Sequence, residues 1–108
     1  MTVRDLTEYG FTAVTLPEPE REIRGAYMGD LLSWVMGRCK EDDAWLTIMS
    51  NVNVIAVASL ANPSVVVLTE GVTLPDDLVE LAGTKGVNVV STELPSFEAA
   101  IALSKLIS

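Results

Sequence analysis

The chain has 108 residues, of which 49% are hydrophobic and only 6% aromatic, and it carries a formal net charge of −8. This size and composition predict one globular domain, residues 1–108, with a core built mainly from aliphatic side chains. The negative charge disfavours binding to nucleic acid and to anionic membrane surfaces, because both attract lysine and arginine. Since the sequence contains no histidine, it lacks the commonest general base and metal ligand.

The cysteine content and the N-terminal residues favour a soluble, cytoplasmic protein. The single cysteine, Cys39, has no partner for an intramolecular disulfide, and its place in an apolar helical pattern indicates a buried structural thiol. The first residues are charged where a signal peptide would be apolar, and no apolar stretch approaches the ~20 residues of a membrane span.

The first thirty residues predict a short helix followed by two extended segments. Residues 2–9 have a helical pattern with Thr2 as the cap, and residues 11–16 are rich in the β-branched side chains that favour a strand. Residues 17–20, with two prolines and two glutamates, indicate an acidic loop. A second extended stretch over residues 22–28 completes this part of the chain.

From residue 30 onward, helical and strand patterns alternate. Asp30 is predicted to cap a helix that runs to Cys39 and has a wide apolar face, with Trp34 as a core residue of that face. Trp45 stands beside charged residues at the start of the next strand, which makes it the better candidate for an interface.

Segment 51–61 is the ambiguous element, because its valines favour a strand while its continuous apolar character also suits a buried helix. A helix capped by Ser50 or Asn51 preserves the alternation and is the prediction. The later elements are strands at 64–69 and 87–91, a helix ending near Gly86, and a last helix that begins at Ser96. An inward stripe is predicted for this last helix from Phe97, Ala100, Ile101, Leu103 and Ile107. The alternation predicts an α/β fold with a mostly parallel sheet covered by helices.

Short polar clusters follow three of the apolar runs, and a helical pattern follows each cluster. The clusters are Ser50, Asn51 and Asn53; Thr69, Glu70 and Gly71; and Ser91, Thr92 and Glu93. Because ligands of open α/β sheets bind at the carboxyl ends of the strands, the first eight of these residues are the candidate ligand-binding residues. The first cluster can hydrogen-bond a base, a ribose or a peptide, and its alternative role is ordinary helix capping.

Catalysis is the function that the sequence supports least. Glu70 and Glu93 form the only candidate pair of carboxylates for a small enzyme, and no acidic spacing matches a known metal loop. Segment 25–30 has glycines in a strand-to-helix turn but lacks the lysine and the hydroxyl of a phosphate-binding P-loop. We therefore expect no catalytic residue, no metal and no cofactor.

From Gly25 onward the sequence resembles the DRTGG domain family. The segments that carry the resemblance are 29–36 (GDLLSWVM), 43–48 (DAWLTI), 53–58 (NVIAVA), 68–71 (LTEG) and 94–99 (LPSFEA). The likeness is greatest to small, stand-alone DRTGG-like proteins of anaerobic bacteria. The family's name motif begins Asp-Arg where this chain has Asn51 and Val52, and its TGG turn corresponds to Thr69, Glu70 and Gly71.

The resemblance implies a three-layer α/β/α sandwich of the type found in the N-terminal domain of HPr kinase/phosphorylase. It also implies a regulatory and associative role, often as a dimer, and a protein partner in a redox or signalling system. The P-loop catalytic domain of HPr kinase is missing from this sequence, so no kinase activity is implied.

Two main hypotheses follow from these observations. The leading one is a non-catalytic regulatory or interaction module, a homodimer with a possible small-ligand site at the carboxyl ends of the strands. The alternative is an adenine-nucleotide sensor that uses Ser50, Asn51, Asn53 and Ser91 as contacts.

Overall fold

A five-stranded mixed sheet forms the centre of the computed structural model, which describes residues 1–107. The strands are β1 (Thr12–Thr15), β2 (Gly25–Met28), β3 (Asp43–Thr47), β4 (Val65–Leu68) and β5 (Val89–Ser91), in the spatial order β1-β5-β4-β3-β2. The helices are α1 (Leu32–Arg38), α2 (Val52–Ala61), α3 (Asp76–Thr84) and α4 (Ser96–Ile107), and a 3-10 helix (Arg4–Glu8) precedes β1. Strands β2 to β5 are parallel, and β1 runs antiparallel to β5.

The order of the strands decides which face of the sheet each helix covers. From β2 to β5 the chain moves one strand at a time in a single direction, with α1, α2 and α3 as the successive crossovers. Because such crossovers are right-handed, all three helices lie on the same face, where neighbouring helices contact each other. The helix α4 follows the last strand and covers the opposite face together with the 3-10 helix. The predicted three-layer α/β/α sandwich is confirmed.

The central strands are buried on both faces, which explains their continuous apolar sequences. In β3, Trp45 packs in the cluster beneath α1, α2 and α3, whereas Ala44 and Leu46 pack in the cluster beneath α4. In β4, Val66 and Val67 divide between the two clusters in the same way. Alternate side chains of a strand point to opposite faces, so an unbroken apolar run builds two cores at once.

The ambiguous segment 51–61 is a helix, as predicted. The side chain of Asn51 accepts a hydrogen bond from the Asn53 amide at 2.9 Å and thereby caps α2. The helix ends at Asn62, which has the left-handed conformation (φ 60°) typical of a residue that follows a helix.

Two details at the helix starts differ from the predictions. Residues 2–9 contain a 3-10 helix with no side-chain cap instead of an α-helix capped by Thr2. Asp30 does not cap α1, because its carboxylate accepts hydrogen bonds from the Thr47 hydroxyl at 2.7 Å and the Ile48 amide at 3.0 Å. The carboxylate therefore joins the end of β2 to the end of β3.

The predicted environments of the two tryptophans were wrong. Trp45 is completely buried, and its indole N–H donates to the Gly29 carbonyl at 2.9 Å. Trp34 is 51% exposed, and the guanidinium of Arg38 lies 3.8 Å from the centre of its ring. The helix α1 has only seven residues and packs on the sheet through a narrow stripe that contains Val35, which leaves Trp34 outside this stripe.

The predicted inward stripe of α4 was only partly right. Leu103 is buried, but Phe97 is 70% exposed and Ile101 also faces solvent. Ala99 takes the buried position near the start of the helix. None of the helices between Met1 and Ile107 has the length and apolar character needed to span a bilayer.

Candidate functional site

The carboxyl ends of β4 and β5 form a crevice because the chain leaves these neighbouring strands in opposite directions. After β4 it turns towards α3 on one face of the sheet, and after β5 it turns towards α4 on the other face. Such a divergence between adjacent parallel strands is where open α/β sheets bind their ligands.

Residues from three strand ends line a small cavity of about 60 Å³ in this crevice. The lining residues are Thr12, Gly71, Val72, Thr73, Ser91, Thr92 and Glu93. Since one water occupies about 30 Å³ of liquid volume, the cavity holds one functional group of a ligand and not a whole nucleotide. We call this crevice, together with its cavity, the β4–β5 crevice.

Backbone hydrogen bonds hold the two loops of the crevice together. The Glu70 amide donates to the Leu94 carbonyl at 2.9 Å, and the Gly71 amide donates to the Thr92 carbonyl at 3.0 Å. Gly71 has a φ of 72°, and a Cβ atom on it would come within 2.6 Å of a carboxylate oxygen of Glu93. Glycine at this position therefore permits both the turn and the close approach of Glu93.

Thr69 and Glu70 support the start of α4. The Thr69 hydroxyl lies 2.7 Å from the Ser96 hydroxyl, and a carboxylate oxygen of Glu70 accepts a hydrogen bond from the Ser96 amide at 2.7 Å. An amide in the first turn of a helix has no partner within the helix, so Glu70 satisfies it and places a negative charge at the helix N-terminus.

The polar cluster after β3 lies one strand away from the crevice. Asn51 acts as the N-cap of α2, the structural role that the sequence analysis had left open. Ser50 and Asn53 stand beside it at the start of the same helix and do not line the cavity. The structure thus brings together the clusters after β4 and β5.

Thr12 is a lining residue that the sequence analysis missed. It belongs to the edge strand β1 and pairs with Ser91 in the antiparallel register. No motif surrounds Thr12, and only the strand order β1-β5-β4 places it at the crevice.

Among residues 1–107, no group of three potential metal ligands comes together. Burial, reinforced by the negative charge of Asp43, raises the pKa of Cys39 to about 11. The thiol is therefore protonated at neutral pH, as expected of a structural cysteine.

Comparison with solved structures relates the chain to the CBS and DRTGG domains of the regulatory region of a Clostridium perfringens pyrophosphatase, crystallised with the activator diadenosine tetraphosphate. The two share 20% sequence identity with a TM-score of 0.68, and the match covers 93% of this chain and 44% of that one. The fold is therefore DRTGG-like, and this chain spans less than half the length of the regulatory region. No protein-family profile and no curated protein matches the sequence.

Proposed function

We propose that this chain is a non-catalytic regulatory domain that associates with a second copy of itself and binds a small ligand at the β4–β5 crevice. The β4–β5 crevice itself is the observation that carries the proposal, because it combines hydroxyl groups and a carboxylate at the usual ligand position of this kind of sheet. The likeness to a regulatory region supports the same function.

The chemistry of the crevice favours a ligand group that donates hydrogen bonds. The hydroxyls of Thr12, Thr73 and Ser91 can donate or accept, whereas the carboxylate of Glu93 can only accept. A ribose diol or an adenine amino group suits this lining better than a phosphate, which the carboxylate would repel.

Adenine-nucleotide sensing is the second candidate function. It is favoured by the activator of the related regulatory region, diadenosine tetraphosphate, which contains two adenosines. In this arrangement one group of the nucleoside, a ribose hydroxyl or the adenine amino group, would enter the crevice, and the phosphates would lie outside it in solvent.

Several observations favour a regulatory domain over an enzyme. The carboxylate of Glu70 is engaged at the start of α4, so it is not free to act with Glu93 in acid–base catalysis. Exposed apolar side chains, including Leu31 and Trp34 on one face and Phe97 on the other, are suited to contacts with protein partners. A partner from a redox or signalling system is part of this proposal.

Calorimetric titration with adenosine and adenine nucleotides tests the crevice as the binding site. Ser91→Val removes a hydroxyl and adds bulk inside the crevice, so we expect it to weaken binding by at least about tenfold, the effect of losing about 1.4 kcal/mol. Asn53→Ala, at the neighbouring polar cluster, is the matched comparison and should bind like the wild type.

Two results of this titration would contradict the proposal. Unchanged affinity in Ser91→Val would exclude the crevice. Loss of binding in Asn53→Ala, with Ser91→Val unaffected, would place the ligand at the start of α2 instead. Far-ultraviolet circular dichroism confirms that each variant is folded before it is titrated.

A further inference from the structure

The face of the sheet that carries α4 is covered less completely than the opposite face. The helices α1, α2 and α3 cover the opposite face, whereas α4 and the five-residue 3-10 helix share this one. At β2, the side chains of Ala26 and Met28 point to the α4 face and are exposed. Tyr27 between them packs in the cluster on the opposite face. The α4 face of β2 therefore lacks a covering element.

An apolar groove of about 150 Å³ lies between β2 and α4 at this uncovered place. Ala26 and Met28 line it from the strand, and Ala100, Leu103 and Ile107 line it from the helix. Because this lining is aliphatic, the groove is suited to apolar side chains of a partner and not to a polar ligand.

Exposed apolar side chains extend the groove to the carboxyl ends of the strands. Phe97 is exposed and stands one turn before Ala100 on the same side of α4. Ile48, just after β3, is also exposed. Its neighbour Met49 packs in the cluster on the opposite face, so alternation places Ile48 on the α4 face. We call the groove, together with Met28, Ile48 and Phe97, the α4–β2 surface.

The positive charges of the protein all lie at the amino ends of the strands. They stand in the loop before β2, in the turn before β3, and at the ends of α1, α3 and α4, which return to that side of the sheet. Arg4 is fastened to the loop before β2, since its amide donates to the Pro19 carbonyl at 2.9 Å. The seven positively charged residues are Arg4, Arg21, Arg24, Arg38, Lys40, Lys85 and Lys105.

The carboxyl ends of the strands carry only negative side-chain charges among residues 1–107. Two of these carboxylates belong to residues next to the α4–β2 surface, because Asp30 lies two residues after Met28 and Glu98 follows Phe97. The exposed acidic residues at this end are Asp30, Glu70, Asp76, Asp77, Glu93 and Glu98. A partner that covers the α4–β2 surface therefore meets negative charge at one end and no compensating lysine or arginine there.

We propose that the α4–β2 surface binds an amphipathic helix of a partner protein, which carries lysine or arginine at the end that meets the carboxyl ends of the strands. This inference rests on the protein partner included in the proposed function and names the chemistry of that partner. A helix is an element that packs on an uncovered sheet face, and its apolar stripe fits an apolar groove. From Phe97 to Ile107 α4 rises about 15 Å, so about three turns of a partner helix cover the surface.

Charge complementarity decides between a basic and an acidic partner. Carboxylates beside an apolar surface attract a basic helix and raise its rate of association, while they repel an acidic one. The exposed phenyl ring of Phe97 is the large apolar group that such a helix would bury, and residues of this kind contribute most to binding.

Binding of two synthetic peptides of about 15 residues tests the charge of the partner. Both peptides form a helix with leucine along one face, and the other face carries lysine in one peptide and glutamate in the other. We expect the lysine peptide to bind the wild-type protein with a micromolar dissociation constant and the glutamate peptide to bind at least about tenfold more weakly. Fluorescence anisotropy of labelled peptides measures both constants.

Two alanine variants test the position of the surface. Phe97→Ala removes the exposed ring, so we expect it to weaken binding of the lysine peptide at least about tenfold. Leu60→Ala is the matched control, because Leu60 is an equally exposed apolar residue on α2, on the opposite face of the sheet. It should bind within about twofold of the wild type.

Two charge reversals separate a local contact from the effect of the net charge. Glu98→Lys places a positive charge beside the surface and should weaken binding of the lysine peptide at least about threefold. Glu80→Lys makes the same change in net charge on α3, on the opposite face, and should change binding by less than about twofold.

Each contrary result overturns a defined part of this inference. If Phe97→Ala binds the lysine peptide as tightly as Leu60→Ala does, the α4–β2 surface is wrong. If the glutamate peptide binds as tightly as the lysine peptide, the basic character of the partner is wrong. A dissociation constant above about 1 mM for both peptides with the wild type would overturn the whole inference.

The titration with adenosine keeps these outcomes apart from the ligand site of the proposed function. Phe97 does not line the β4–β5 crevice, so Phe97→Ala should bind adenosine like the wild type. Loss of adenosine binding in Ser91→Val together with intact peptide binding would show two separate sites. Far-ultraviolet circular dichroism confirms that each variant is folded.

Discussion

Glu70 combines two features at a single residue. Its backbone is in the left-handed region (φ 62°), which is unfavourable for a residue with a side chain, and Gly71 beside it has a φ of 72°. Its carboxylate accepts the hydrogen bond from the Ser96 amide at the start of α4. The TGG turn of the family that this chain resembles has a glycine here, so the helix contact offsets a backbone cost that glycine would avoid.

Two substitutions of Glu70 separate these effects. Glu70→Ala loses the helix contact and keeps the unfavourable backbone, so we expect a loss of about 1–2 kcal/mol in the free energy of unfolding. Glu70→Gly loses the same contact but relieves the backbone, so it should lie within about 0.5 kcal/mol of the wild type. Urea denaturation measures both values, and equal destabilisation by the two substitutions would contradict this account.

The two tryptophans show what local sequence cannot reveal. Trp45 follows a charged turn, which led to the prediction of a surface position, but β3 is a central strand and both of its faces are covered. Trp34 lies within an apolar helical pattern, but α1 is short and covers the sheet near its edge. In both cases the position of the element in the sheet decided the burial, and the residues beside each tryptophan carry no information about that position.

At the scale of elements, the alternation of helices and strands could be predicted because each element has its own local signal. The ends of segment 51–61 identified it as a helix, because Asn51 can cap a helix and Asn62 stands before a proline. Its interior suited a strand as well as a helix. The faces of α1 and α4 could not be predicted as well. Both helices are apolar around much of their circumference. Periodicity therefore does not show that Phe97 and Ile101 lie on the exposed side of α4.

A cluster around Arg21 joins three loops at the amino ends of the strands. Its guanidinium donates to the carboxylate of Asp42 at 2.8 Å, the side chain of Asn62 at 2.9 Å and the carbonyl of Pro63 at 3.0 Å. The hydrogen bond from Arg21, aided by the charges of Arg21 and Arg24, lowers the pKa of Asp42 below its ordinary value of 3.8. The cluster fastens the acidic loop before β2 to the turns that follow α1 and α2.

The lowered pKa of Asp42 predicts how acid affects this cluster. A group whose pKa is lower in the folded state stabilises the fold above its ordinary pKa, and this contribution is lost as the pH falls through the folded-state pKa. We expect Arg21→Ala to lower the Tm at pH 7, and the difference from the wild type to shrink below about pH 4. Arg38→Ala is the control, since Arg38 stacks on Trp34 and should show no such convergence. A difference that stays constant down to pH 2.5 would contradict the assignment.

At the scale of the whole molecule, the candidate site depends on the order of the strands. The sequence predicted that polar clusters would meet at the carboxyl ends of the strands, because parallel strands share one rim. It could not predict that β5 lies between β4 and β1, which brings Thr12 to Ser91. Nor could it predict that β3 lies on the other side of β4, which leaves Asn53 outside the crevice. Strand order depends on long-range packing between segments distant in the chain, for which this sequence contains no local signal.

The most direct test of the central claim is thermal unfolding of the wild-type protein with adenosine, adenine nucleotides, dinucleotides and common metabolites. A ligand that binds the folded domain at a hundredfold excess over its dissociation constant adds about 2.7 kcal/mol of stability, which corresponds to a rise in Tm of about 10 °C for a domain of this size. We expect such a saturable rise for a compound that carries a ribose or an adenine. No rise with any compound of the panel would contradict the ligand site at the β4–β5 crevice.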